Sequence, residues 1–197
     1  MSRAPKKAAK RIVAKPANKG EANVKAGNKA PRTLAEFMVQ ALWMEKEAEQ
    51  RYADFADAME VHNNLDAAGL FRKMARIEGM HAARIMEEMG WKEMPALPAG
   101  KASWEGFEAP ETAPIDEVHY LMQPYHALEL ALAAEQRAER FFAALAKAAT
   151  VASVRTAARE LQAEEREHVK LVRRWMEMLP KPDQDWANDP DPANYTD

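Results

Sequence analysis

An antiparallel, all-α four-helix bundle is predicted by three observations. Four long stretches, about 33–60, 66–89, 124–149 and 153–179, carry apolar residues at alternating three- and four-residue steps, the period of a helix with one buried stripe. Only a few residues join the first stretch to the second and the third to the fourth, so each pair forms an antiparallel hairpin. The two halves also repeat. Residues 41–53 match 131–143 at an offset of 90, sharing Ala41/Ala131, Leu42/Leu132, Glu45/Glu135, Glu49/Glu139 and Ala53/Ala143.

The elements follow in order. Residues 1–32 hold ten Lys/Arg against the single acid Glu21, have no aromatic residue, and are broken by Pro5, Pro16, Gly20, Gly27 and Pro31. Such a segment lacks the apolar surface to offset the entropy of ordering, so it reads as a disordered basic arm. The first helix runs from Thr33 to Glu60, where Thr33 and Glu36 make a capping box. After the turn 61–65, Asp66 is the expected N-cap of the second helix, which ends at Gly90. Residues 91–114, interrupted by Pro95, Pro98, Pro110 and Pro114, form a long crossover, with a short helical piece expected over 115–122. Pro124 opens the third helix, Thr150 to Ser153 turn the chain, and the fourth helix stops before Pro180. The chain therefore divides into an arm (1–32), a bundle (33–179) and an acidic Pro/Asp tail (180–197).

Composition excludes several chemistries. The 197 residues contain no cysteine, so disulfides, thiolate zinc, iron–sulfur centres and a thiol nucleophile are ruled out within this sequence. No apolar run approaches the roughly 18 residues that span a bilayer, and no signal-peptide core follows the first residues, so a cytoplasmic protein without a membrane partner is expected. The net charge of −3 conceals a polarised chain: outside the arm, 18 Lys/Arg face 30 Asp/Glu. The arm reads as a solubility tail or as a contact for nucleic acid or an acidic partner.

The helical stripes carry polar residues where only apolar ones are expected. Met38, Ala41, Glu45, Ala48, Tyr52, Phe55 and Met59 form the first seam, and Leu128, Ala131, Glu135, Ala138, Phe142, Leu145 and Ala149 the third. The second seam contains Glu78 and His81, and the fourth Glu165 and His168. The i, i+3 spacing puts each Glu–His pair on one helical face. All six ionisable groups lie near mid-helix, so antiparallel packing brings them to one height. Fewer than one Glu-x-x-His step is expected by chance from 22 Glu and 5 His; two at core positions, level with two further core glutamates, form a pattern.

Burying four carboxylates together costs several kcal/mol per ion unless compensated. Two divalent cations neutralise them, and the donor set suits two irons, with manganese fitting the same oxygen and imidazole ligands. The plain alternative is a metal-free bundle with two buried Glu–His–Glu clusters. Tyr52, one heptad from Glu45, is either packing or a hydroxyl that hydrogen-bonds beside the site. His62, His119 and His126 have no partner at ligand spacing and read as surface or satisfied core histidines. Met38, Met59 and Met74 read as core filler.

These residues resemble the rubrerythrin branch of the ferritin-like superfamily over about 33–179. Glu45 with Tyr52, Glu78-x-x-His81, Glu135 and Glu165-x-x-His168 match its ligand motifs in order. The resemblance implies a ferritin-like bundle with a di-iron centre, in which Glu78 and Glu165 bridge while Glu45, Glu135, His81 and His168 are terminal ligands. It implies reduction of hydrogen peroxide at that centre; catalytic roles for the four glutamates and Tyr52, dioxygen as a second oxidant, and a homodimer are further expectations. Two departures stand out. Without cysteines there is no rubredoxin domain in this sequence, so a separate electron-donor protein is expected. Ala138 also replaces a second third-helix glutamate; the nearest acid, Glu139, and its repeat mate Glu49 read as flank charges or as carboxylates supporting the ligands. Two other functions compete: iron binding and storage without turnover, and an arm-mediated association with nucleic acid.

Overall fold

Four helices, α1 (Leu34–Val61), α2 (Leu65–Glu88), α3 (Pro124–Ala148) and α4 (Ala152–Glu177), build an all-helical bundle in the computed structural model, with no strand among the described residues. The structure describes residues 31–97, 102, 104 and 108–189. The basic arm up to residue 30 and the tail beyond 189 lie outside the described residues. Among those described, no helix is long and apolar enough to cross a membrane.

Each helix begins and ends where local chemistry requires. Thr33 caps α1, its hydroxyl accepting from the Glu36 N–H at 3.1 Å. At the end of α2, Gly90 has φ 66°, and the N–H groups of Gly90 and Trp91 return to the carbonyls of Glu87 and Met86. That is a Schellman closure, which places glycine in the left-handed position. Pro124 supplies the first residue of α3, and Arg155 donates to the Ala149 carbonyl across the α3–α4 turn.

Two local expectations are corrected. Asn64, not Asp66, caps α2; Asp66 lies in the first turn, where its charge still suits the helix N-terminus. Asn64 prevails because both ends of its amide are used. Its Oδ1 accepts from the Ala67 N–H at 3.3 Å, while Nδ2 donates to the carbonyls of Tyr120 (3.1 Å) and Met122 (2.6 Å). Asn63 enters the turn with φ 56°. The expected helix over 115–122 shrinks to a three-residue 3₁₀ turn, Ile115–Glu117. Val118 is extended, the Leu121 N–H is taken by the His119 ring, and Pro124 disfavours helix at Gln123.

Asn64 thus ties the first hairpin to the segment entering α3. Asn64→Ala is expected to cost about 1–2 kcal/mol, a cap plus partly buried hydrogen bonds. For a chain of this size that lowers the melting temperature by roughly 2–8 °C. An unchanged thermal melt would show that the tie contributes nothing.

The core falls into two apolar clusters. One contains Phe37, Leu42, Met44, Phe141, Phe142 and Leu145 with Trp104 of the crossover; the other contains Tyr52, Phe55, Met59, Phe71, Met74 and Leu128. The predicted seam residues of the first and third helices are buried as expected, as are Met38, Met59 and Met74, whereas His81 and His168 are only partly buried. His126 is a satisfied core histidine: its ring accepts from the Gln123 N–H and packs against Trp186. His62 is exposed.

Candidate metal centre

The polar residues gather where the four helices meet at mid-height. Glu45, Glu78, Glu135 and Glu165 are between 0% and 3% exposed, each supplied by a different helix. Each hairpin builds one half of the site. In the first, His81 Nδ1 lies 3.0 Å from Glu78 Oε2 and 3.5 Å from Glu45 Oε2. In the second, His168 Nδ1 lies 3.3 Å from both Glu135 Oε2 and Glu165 Oε2. The two imidazoles stack face to face, with centroids 4.5 Å apart and planes within 3°. The near-twofold repeat in the sequence thus becomes a near-twofold site.

Electrostatics show how uncomfortable the cluster is without positive charge. Burial, outweighing the histidine contacts, pushes the carboxyls of Glu78 and Glu165 up to about 7 and raises those of Glu45 and Glu135. Burial opposes the imidazolium forms, but the surrounding carboxylates prevail and raise His81 to about 9 and His168 to about 11. The residues compensate one another only in part. Glu78 Oε1 is buried with no partner, and the buried Oε2 atoms of Glu45 and Glu135 have only their long contacts with His81 and His168. Unpaired buried acceptors are costly and rare.

Those orphaned oxygens test whether a metal pair fits. The ligand atoms of Glu45, Glu78 and His81 lie within 4.8 Å of one another, as do those of Glu135, Glu165 and His168. Each triplet could hold one ion, and a divalent pair would partner the free oxygens and neutralise the four charges. The residues present therefore fit two metal ions.

Tyr52 is fully buried, and its hydroxyl has no hydrogen-bond partner. Burial and the nearby carboxylates of Glu135, Glu78 and Glu111 hold its pKa well above the usual value, so it keeps its proton. Glu139 pairs with Arg166 at 3.0 Å, and Glu49 pairs with Lys46. Both acids are engaged in ion pairs along the bundle's flank.

One buried carboxylate was not expected. Glu111, in the crossover, is 1% exposed, and both its oxygens lack a partner. Burial and then the charges of Glu45, Glu165, Glu78 and Glu135 push its pKa well above the carboxylate range. Periodicity cannot reveal such a residue, because a crossover has no period.

Family comparison agrees with this fold. A family model described as rubrerythrin matches residues 36–122, spanning α1, α2 and the crossover. A solved structure described as an uncharacterized conserved protein from Magnetospirillum magnetotacticum MS-1 is similar at 38% identity, with a TM-score of 0.56. The similarity covers 77% of this chain and 98% of that one. The chain belongs to the rubrerythrin-like branch of the ferritin-like superfamily. No curated protein matches it. In this rubrerythrin-like chain the position of the second third-helix glutamate is filled by the fully buried methyl group of Ala138.

Proposed function

We propose that this rubrerythrin-like chain is a non-haem di-iron oxidoreductase that reduces hydrogen peroxide or dioxygen. The observation that carries the reading is the buried ring of four glutamates and two histidines with unpartnered carboxylate oxygens. When bound, an Fe(II) pair supplies two electrons, enough to convert one peroxide and two protons into two waters. Manganese would meet the same ligands.

The chain's own residues would bind, admit and position. Glu78 and Glu165, one in each histidine-containing triplet, would bridge as the family resemblance implies, with Glu45, Glu135, His81 and His168 in terminal positions. The side chains of His81 and His168 are 16% and 20% exposed, far more than the glutamates. Solvent, ions and a small oxidant would therefore reach the site from the histidine side. Tyr52, held neutral in the dry interior, offers an O–H donor to an oxygen atom inside the cluster. The phenyl rings of Phe55 and Phe71 pack against Tyr52 and exclude water around it. With no cysteine in the 197 residues, a separate protein would return the electrons.

The test is anaerobic loading with Fe(II), followed by rapid mixing with peroxide or dioxygen while iron oxidation is followed optically. The reading expects two Fe(II) bound per chain and one peroxide consumed per two Fe(II), far faster than with iron in buffer. Iron that binds but oxidises no faster than free Fe(II) would leave a binding protein without turnover.

A further inference from the structure

We propose that Glu111 is a fifth carboxylate ligand, shared by both metal positions and carried into the bundle by the crossover. The proposal rests on the metal-site reading above and extends it to a residue outside the helices.

The first support is position. Glu111 offers a ligand atom within 4.8 Å of those of Glu45 and Glu165, and likewise of those of Glu78 and Glu135. Each of these triplets joins one helix of the first hairpin to one of the second. By contrast, the histidine-containing triplets each stay within a hairpin. Glu111 is therefore placed between the two halves of the site, next to all four helical carboxylates.

The second support is that its insertion is built. Loops normally run over the surface because buried backbone needs hydrogen-bond partners. Here Ala109, Thr112 and Ala113 are buried together with Glu111, and the neighbouring helices provide those partners. The Thr112 N–H closes a turn on the Ala109 carbonyl at 3.0 Å, placing Pro110 and Glu111 at its tip. Glu47 of α1 accepts from the Ala109 N–H at 3.0 Å. Arg137 of α3 donates to the carbonyls on either side of Glu111, at Pro110 (2.9 Å) and Thr112 (3.0 Å). Arg51 of α1 donates to the Ala113 carbonyl (2.5 Å) and pairs with Glu108 (2.7 Å). Three charged side chains thus strap this stretch of the crossover in place, and the tip of that strap is a carboxylate with no partner.

The third support is charge. Two divalent cations would offset four of the five carboxylate charges, and the Arg137 guanidinium lies against the peptides that flank the fifth. A turn whose function was only to connect helices would place a neutral residue at a dry tip, since each unpaired buried charge costs several kcal/mol. The chemistry selected is that of an oxygen-preferring divalent ion such as Fe(II) or Mn(II).

Cobalt(II), an air-stable stand-in for Fe(II) with visible d–d bands that report coordination number, is the probe. The full chain and its Glu111→Gln variant are titrated with Co(II), and their metal-free forms are melted in parallel. Glutamine keeps the size and polarity but removes the anionic ligand. The wild type is expected to bind two ions. The variant should bind the second more weakly by at least the roughly 10–100-fold that loss of a mere supporting partner costs. Its d–d bands should be altered and its metal-free melting temperature unchanged or raised. Two ions bound with wild-type affinity and bands would overturn the role of Glu111 and leave the metal site standing. No Co(II) bound by the wild type would overturn both. If Glu111→Gln instead lowers the metal-free melting temperature, Glu111→Asp decides. Recovery of the second ion by the shorter carboxylate supports ligation; failure to recover it assigns Glu111 to the fold.

Discussion

Replacing Glu78 and Glu165 together by alanine is expected to empty the centre of the bundle of metal. These two side chains, 0% and 1% exposed, lie on α2 and α4, and each belongs to a histidine-containing triplet. Their loss removes half of the helical carboxylate charge and one oxygen donor from each triplet. The remaining helical ligands, Glu45, Glu135, His81 and His168, offer each ion a single carboxylate and an imidazole. Affinity should fall by at least three orders of magnitude, or roughly 4 kcal/mol. Anaerobic Fe(II) titration of the double variant reads this directly. Both equivalents should disappear together, because the two halves share their neighbours. Full retention of two irons would place the metal elsewhere. The fold should survive, since the seam residues above and below the site are apolar and buried, and the substitution removes charges that burial already disfavours.

A second large effect concerns pH, and its sign is unusual. Glu78 and Glu165 hold their protons up to about pH 7 in the folded chain, whereas an unfolded glutamate loses its proton near 4.5. The folded state thus binds more protons in that window, and stability falls as pH rises through it. His81 and His168 act in the same direction: they stay protonated to about 9 and about 11, against 6.5 when unfolded. Their contribution is fully present below 6.5 and is lost as pH rises towards those values. The metal-free chain should therefore be most stable near pH 5 and lose on the order of a few kcal/mol by pH 9, since each tenfold change in a proton-binding constant is worth about 1.4 kcal/mol. Neighbouring carboxyls and imidazoles exchange protons, so the cluster titrates as a whole.

Metal reverses the trend. Ligation needs ionised carboxylates and neutral imidazoles, so binding releases protons and strengthens with pH. Thermal melts in chelator from pH 5 to 9, repeated with saturating Mn(II), should give one falling curve and a metal-induced increment that grows with pH. A flat or rising curve for the metal-free chain would contradict the assigned proton balance. It would mean that the buried glutamates ionise normally and that their unpaired oxygens have found partners.

Much of this protein is determined by its sequence alone. Helical periodicity is a short-range property: Glu45, Glu78, His81, Glu135, Glu165 and His168 sit on apolar stripes, and a three- or four-residue step states which face each occupies. Short connections state which helices are antiparallel, and mid-helix placement then states a common height. The ring of six therefore follows from local rules applied four times.

What the tertiary structure decided lies off the stripes. Asn64 displaces Asp66 as the cap of α2 because its amide also reaches the carbonyls of Tyr120 and Met122, more than fifty residues away. Residues 118–122 leave the helical path because the segment is tied to that same turn. Glu111 enters the site because Glu47, Arg51 and Arg137, distant in sequence, grip the backbone around it. A connecting segment has no period from which a facing direction can be read. Its course is set by whichever long-range hydrogen bonds satisfy its backbone, and those exist only once the helices have packed.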